Sequence, residues 1–193
     1  MKRPTGISVR LVTPRDRGII ETLFGARGAC AGCWCMHWRL ERGGQLWRAM
    51  QGEPNKQAFM KLLAAGRVRA VIAETNGEAV GWCSFGPRIE FTKLERSRVF
   101  HRANASPKTW AVICFFIKTG WRGKGIATAL LQAATREAVA AGAREIEGLP
   151  ALHAQDKKLA AAFAWTGVPE MFEAVGFCAT KSTTGRLLYL KTR

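Results

Sequence analysis

The residues best suited to chemistry form a glycine-rich turn between a predicted strand and a predicted helix. Residues 110–117 are nearly all apolar, as in a strand buried on both faces. Residues 126–141 carry an apolar stripe at helical spacing. Between them, Gly123 and Gly125 allow an anion to approach the N–H groups that a helix leaves unpaired at its N-terminus. The pattern predicts a phosphate-binding turn.

Two side chains of the turn, Arg122 and Lys124, add positive charge that suits a pyrophosphate. The turn is not a P-loop, because neither Ser nor Thr follows Lys124 and the glycine spacing differs. It also lacks the GxGxxG spacing of dinucleotide-binding turns. A turn that serves only backbone geometry is the alternative interpretation.

The run of residues 122–127, RGKGIA, resembles the R/Q-x-x-G-x-G/A motif of the GNAT superfamily of N-acetyltransferases. Trp121 stands where many members have Tyr before the Arg. Residues 171–177, MFEAVGF, resemble the Y-E-K-L-G-F segment of the same superfamily. The predicted order of elements also agrees with that fold over residues 7–191.

The resemblance implies an α/β (α+β) fold with a mixed, mostly antiparallel central sheet. Helices would flank the sheet, its central strands would splay apart, and one domain would span residues 1–193. It implies acetyl-CoA as the acyl donor, and direct attack on its thioester by a primary amine. The resemblance leaves the acceptor open: a small molecule is preferred, with a peptide N-terminus or a lysine as alternatives. Homodimers are common in this superfamily.

The resemblance also implies which residues hold the donor. The backbone of residues 115–117 would pair with the pantetheine arm, and that of residues 122–127 would bind the pyrophosphate. The N–H of Phe115 would stabilise the oxyanion that forms during attack. The cofactor-binding residues are then Phe115, Phe116, Ile117, Arg122, Gly123, Lys124, Gly125, Ile126 and Ala127.

The general acid and base depart from the family pattern. The position of the usual acidic Tyr is Phe172, which has no proton to donate. Glu147 is the preferred candidate base, at the gap between the splayed strands, with Glu90 and His153 as alternatives. Cys114 is a candidate weak acid. Catalysis by positioning, with water carrying the proton, is a further interpretation.

The segment from Cys30 to His37 is rich in cysteine and tryptophan and is predicted to be irregular. Cys30, Cys33, Cys35 and His37 are ligand types for Zn²⁺, but the distant second pair of a usual structural site is missing. We therefore predict no metal.

The preferred interpretation of this segment is a cover over the acceptor pocket. Aromatic walls suit an amphipathic amine, and Trp34 and Trp38, with Trp47, would supply them. Glu90 is included among the acceptor-pocket residues. A loop that only packs against the core is the alternative.

The net charge of +16 favours a polyanionic partner. The Lys and Arg residues are scattered along the chain, so a nucleic-acid-binding module is a less favoured interpretation. A zinc-binding regulatory protein without activity is also less favoured. No apolar stretch suggests a membrane partner or a secretory signal, which predicts a cytoplasmic protein. Cys83, Cys114 and Cys178 are expected to be buried, inert thiols.

Overall fold

A computed structural model describes residues 6–40, 45–103, 105–151, 164–185 and 187–192. The strands are β1 (Ser8–Leu11), β2 (Ala70–Thr75), β3 (Glu78–Pro87), β4 (Thr109–Ile117), β5 (Glu145–Gly148), β6 (Cys178–Lys181) and β7 (Leu187–Thr192). The helices are α1 (Arg17–Phe24), α2 (Gln45–Met50), α3 (Glu53–Ala64), α4 (Thr92–Glu95), α5 (Ile126–Ala140) and α6 (Pro169–Glu173). No described helix is long and apolar enough to cross a membrane. The single domain over residues 1–193 stays a prediction.

The seven strands form one open sheet in the order β1-β2-β3-β4-β5-β7-β6. Its neighbours are antiparallel except β4 and β5, which are parallel. The β4–β5 ladder ends at Val112 and Gly148, although β4 continues to Ile117. The second half of β4 therefore has no β5 partner. The mixed, mostly antiparallel fold with parting central strands is confirmed.

Local sequence explains why the elements begin and end where they do. Asn76 and Gly77 both have positive φ, as a tight hairpin turn requires, and they join β2 to β3 as predicted. Gly125, in the left-handed region, precedes α5. The charged pattern of residues 91–99 predicts one short helix. The structure has only α4 in that range, preceded by a 3-10 turn at Arg88–Glu90. The helix predicted over residues 156–165 falls almost wholly outside the described residues.

Two apolar layers cover the sheet. On one face, α5 and α6 pack against Val112, Phe115 and neighbouring side chains. On the other, α1, α3 and the segment of residues 29–40 pack against Ile113 and Trp82. A register shift where β3 faces Ile113 places a bulge in the middle of β4. The bulge lies beside the point where β4 and β5 part.

One charged cluster fastens the start of α1 to the sheet. Asp16 accepts hydrogen bonds from the Thr13 backbone N–H at 2.7 Å and from Arg10 at 2.8 and 3.0 Å. Hydrogen bonding from Arg10 lowers the Asp16 pKa from 3.8 to about 2. Because the folded-state pKa is the lower one, this carboxylate stabilises the fold above pH 3.8. That contribution is lost as the pH falls toward 2.

Replacing Asp16 with asparagine tests the contribution of this carboxylate to the stability of the fold. We expect the free energy of unfolding to fall by about 1 kcal/mol at pH 7, because the ion pair and part of the cap are removed. The difference from wild type should shrink in urea titrations at successively lower pH. A difference that stays constant down to pH 2 would contradict the assignment.

Candidate active site

The predicted phosphate-binding turn has the geometry of an anion site. A 3-10 turn at Thr119–Trp121 leads out of β4, and Gly123 and Gly125 follow with φ of 72° and 76°. A side chain at Gly123 would point into open space. The N-terminal N–H groups of α5 therefore face an unobstructed approach.

The two basic side chains of the turn differ in position. Arg122 donates from Nε to the Ile117 carbonyl at 3.1 Å and so joins the turn to the end of β4. The Lys124 ammonium lies over the Trp121 ring, 4.6 Å from its centroid. Both side chains give the mouth of the site positive charge.

A cleft of about 690 Å³ runs from this turn along the half of β4 that has no β5 partner. Lys124 is the one predicted cofactor residue that does not line it. Those that do are Phe115, Phe116, Ile117, Arg122, Gly123, Gly125, Ile126 and Ala127. Arg27, Thr128 and Trp165, which the sequence did not indicate, line it as well.

The segment around Trp165 crosses the gap between β4 and β5. Its carbonyl accepts a hydrogen bond from the Phe115 N–H at 2.6 Å. The N–H that was predicted to stabilise an oxyanion is therefore engaged by Trp165. A thioester carbonyl reaches this donor only after the Trp165 carbonyl moves away.

A smaller cavity of about 230 Å³, here named the acceptor cavity, continues the cleft beyond Phe115. The two share the walls made by residues 29–31, Phe115, Phe116 and Trp165. The acceptor cavity adds Trp47, Cys33, Cys35, His37 and Cys114. A ligand bound along β4 would thus bring its inner end to the mouth of a small apolar chamber.

Among the described residues, His37 is the one imidazole that lines this chamber, and three tryptophans surround it. Its ring centroid lies 5.1 Å from those of Trp38 and Trp47 and 5.0 Å from that of Trp165. The Lys93 ammonium lies 2.9 Å from His37 Nε2. Burial, with the nearby Lys93 charge, lowers the His37 pKa to about 4. His37 is therefore neutral at pH 7.

Four cysteines, Cys30, Cys33, Cys35 and Cys114, line the acceptor cavity. Cys35 Sγ and Cys114 Sγ are 3.2 Å apart, as free thiols. Burial raises the pKa of Cys33 to about 12, and hydrogen bonding to Cys35 together with burial raises that of Cys114. The Cys33 and Cys114 thiols are therefore protonated at neutral pH and are poor nucleophiles.

The cysteine-rich segment is not arranged as a metal site. Within the described ranges no three His, Cys, Asp or Glu side chains are placed to hold a metal ion. Cys30 is exposed, whereas Cys35 is buried against Cys114. Of the thiols expected to be buried, Cys83 and Cys114 are buried, but Cys178 is exposed because it lies on the edge strand β6.

The sequence was compared with known families. Residues 34–164, more than half of the chain, match the profile of the Acetyltransferase (GNAT) family. The chain belongs to the GNAT family. No curated protein matches the sequence significantly.

Solved structures share this fold at low identity. An N-acetyltransferase from Staphylococcus aureus Mu50 has a TM-score of 0.55 at 16% identity, covering 97% of this chain and 99% of that one. The PaiA N-acetyltransferase from Thermoplasma acidophilum, solved with coenzyme A, has a TM-score of 0.55 at 12% identity, covering 98% and 100%. A GNAT family acetyltransferase from Brucella melitensis, solved with acetyl-CoA, has a TM-score of 0.51 at 14% identity, covering 96% and 87%. Such likeness establishes the fold.

Two of the tryptophans predicted to line the acceptor pocket, Trp34 and Trp38, lie outside the acceptor cavity. Trp34 is buried against Phe24, with ring centroids 5.5 Å apart. Trp38 donates from Nε1 to the Ile113 carbonyl at 3.2 Å. Neither lines the acceptor cavity, which corrects their predicted role, because both rings turn toward the core. Trp47 does line it.

Glu90 is also outside the cavity. It accepts hydrogen bonds from Arg69 at 2.8 Å and Arg39 at 3.4 Å. Two guanidinium groups hold its carboxylate, so a role in binding or deprotonating the acceptor is not supported. His153, the other alternative base, lies outside the described residues.

Glu147 does not face the gap between the central strands, which corrects the prediction. Its side chain is 0% exposed and pairs with Arg88, while Arg102 lies 3.5 Å from its other oxygen. Burial raises the Glu147 pKa, and the two arginines oppose that shift. The geometry is that of a structural ion pair that ties β5 to the residues after β3.

Phe172, at the position of the usual acidic Tyr, belongs to the core. Its ring is fully buried and lies edge-on to Phe115 and Phe177, with centroids 6.3 and 5.2 Å away. A β-carbon added at Gly148 would come within 2.1 Å of this ring. The position is used for packing. The single tyrosine, Tyr189, donates its hydroxyl to Glu173 at 2.6 Å.

Proposed function

We propose that this GNAT protein transfers the acetyl group of acetyl-CoA to the primary amine of a small acceptor. One observation carries the proposal: a continuous cleft joins an anion-binding turn to a small chamber along a strand edge that lacks its β5 partner. Pyrophosphate fits one end, an extended arm fits the strand, and an acceptor fits the chamber.

The chain offers backbone groups more than acidic or basic side chains for the reaction. The N–H groups around Gly123 and Gly125 would hold the pyrophosphate, with Arg122 and Lys124 adding charge. The Phe115 N–H, once released from Trp165, would polarise the thioester carbonyl. Catalysis then depends on alignment of amine and thioester, and water carries the proton.

The large positive charge supports this assignment as well as it supports nucleic-acid binding. Coenzyme A carries several negative phosphate charges, and a positive surface raises its local concentration. The net charge of +16 includes Arg27 and Arg122, which line the cleft, and Lys124 in the adjoining turn. A cytoplasmic location and a homodimer are further proposals based on the sequence alone.

Calorimetric titration with acetyl-CoA tests the donor site. We expect wild type to bind, and Gly125→Glu to lose roughly a hundredfold or more in affinity, because it strains a left-handed residue and adds a carboxylate beside the phosphates. Arg122→Ala should weaken binding by roughly tenfold through loss of one charge-assisted contact.

Arg136→Ala is the matched control. Arg136 is an exposed arginine of α5, the helix that follows the turn, and its side chain does not line the cleft. It should bind acetyl-CoA like wild type. Absence of binding by folded wild type, or equal binding by Gly125→Glu, would refute the proposed donor site.

A further inference from the structure

The walls of the acceptor cavity carry information about the acceptor. Trp47, Trp165, Phe115 and Phe116 provide aromatic surface, and thiols provide most of the rest. Of the described residues that line it, none is Asp, Glu, Lys or Arg. An ammonium ion that entered would lose its hydration without meeting a carboxylate, which is costly.

The contact between Lys93 and His37 fixes the state of the imidazole. A lysine ammonium has three donors and no acceptor, so at 2.9 Å it must donate to the lone pair of His37 Nε2. The ring proton of neutral His37 is then on Nδ1. With its lone pair engaged, His37 is a donor in this chamber and cannot accept a proton from an amine.

Lys93 also acts through its charge. It lies outside the lining of the acceptor cavity but directly against His37, which forms part of that lining. A second cation in the chamber would experience like-charge repulsion from Lys93, which the partial exposure of Lys93 to solvent reduces. The Lys93 charge, the engaged His37 lone pair and the lack of a carboxylate among the described lining residues disfavour a protonated alkylamine and any polycation.

We propose that the acceptor is a small aromatic amine, which is uncharged at neutral pH. This inference rests on the acetyl transfer proposed above. The nitrogen lone pair of such an amine is delocalised into its ring, so it needs no base before it reacts. Flat rings pack well on tryptophan and phenylalanine, and a chamber of about 230 Å³ suits one or two rings.

The reaction balances without a protein base. The amine lone pair attacks the thioester carbonyl carbon, a C–N bond forms, and the C–S bond breaks with its electrons leaving on sulfur. Water carries the proton lost by nitrogen to the coenzyme A thiolate. The products are the N-acetylarylamine and coenzyme A with a free thiol.

Aniline and benzylamine form a matched pair of test acceptors, since the ring is the same and only the second is protonated at pH 7. With saturating acetyl-CoA, thiol release should give a kcat/KM for aniline at least about tenfold above that for benzylamine. The aniline rate should be flat from about pH 6.5 to 8.5. His37, with its pKa near 4, and Cys33, with its pKa near 12, titrate outside that range. Cys114, also facing the chamber, has a raised pKa, and burial lowers the pKa of Lys93 from its usual value.

Lys93→Met distinguishes this charge effect from a merely structural role. Loss of the ammonium frees the His37 lone pair, so the ratio of kcat/KM for benzylamine to that for aniline should rise at least about tenfold. A structural defect would lower both values together. Lys93→Arg keeps the charge and should keep the wild-type ratio.

The outcomes separate this inference from the proposed function. Acetyl-CoA binding with faster turnover of benzylamine, or with an aniline rate that rises through pH 7, overturns the aromatic-amine acceptor and leaves acetyl transfer standing. Binding without turnover of aniline or 4-methylaniline also overturns it. Failure to bind acetyl-CoA refutes the donor site itself.

Discussion

Replacing Glu147 with alanine is expected to lower the free energy of unfolding by about 3–5 kcal/mol. The change leaves the Arg88 guanidinium, whose side chain is 4% exposed, without its buried counter-charge. Arg88 keeps an ion pair with Glu95 at 3.0 Å and a hydrogen bond to the Phe100 carbonyl, but the Glu95 side chain is 46% exposed, so water screens that pair and it does not replace the buried carboxylate. Urea denaturation at pH 7 measures the loss.

Glu145→Ala is the control for this prediction. Glu145 lies on the same strand and pairs with Arg102, but both side chains are partly exposed. Its loss should cost about 1 kcal/mol or less. Equal effects of the two substitutions would contradict the claim that burial makes the Glu147 pair critical.

Catalysis gives an independent view of the same residue. Glu147→Gln retains the shape of the side chain, so the folded fraction should keep its kcat within about threefold of wild type if the role is structural. A fall of about a hundredfold or more in kcat, with an unchanged midpoint of urea unfolding, would restore the general-base assignment.

Replacing Gly32 with alanine is expected to destabilise the protein by about 2–4 kcal/mol. A β-carbon there would lie 2.3 Å from the Gly52 backbone nitrogen, and Gly32 also has φ of 68°. The Gly32 carbonyl accepts hydrogen bonds from Gly52 N–H at 3.0 Å and from Asn55 at 3.1 Å. The clash therefore separates the cysteine-rich segment from the start of α3.

Gly66→Ala is the matched control, because Gly66, just after α3, also has positive φ but has open space around its β-carbon position. It should cost only about 1 kcal/mol from backbone strain. Since Cys33 and Cys35 line the acceptor cavity, Gly32→Ala should also raise KM for the acceptor more than KM for acetyl-CoA. Similar unfolding midpoints for the two variants would show that the close approach to Gly52 is unimportant.

The donor site was predictable because its information is local. Glycines at positions 123 and 125 encode positive φ, and the apolar run of β4 encodes a buried strand, so turn, strand and helix follow from neighbouring residues. The Asn76-Gly77 hairpin is predictable for the same reason. The family motif then assigned chemistry to the turn.

The acceptor side was not predictable because its contacts join distant residues. The sequence around Glu147 shows no partner for its carboxylate, yet Arg88, 59 residues away, donates a hydrogen bond to it. Lys93 meets His37 across 56 residues. Trp34 and Trp38 turn toward the core, whereas Trp47, on α2, lines the acceptor cavity. The irregular segment that carries Trp34 and Trp38 has no period from which the direction of their rings follows.

Because the Phe115 N–H is already hydrogen-bonded to the Trp165 carbonyl, a thioester that binds at this end of the cleft must displace an existing hydrogen bond. A donor that binds there replaces one amide–carbonyl hydrogen bond with another, so little net free energy comes from that contact. Affinity must then reside at the pyrophosphate end, which substrate and product coenzyme A share. After transfer, the Trp165 carbonyl can return to its donor and so favour departure of the spent coenzyme.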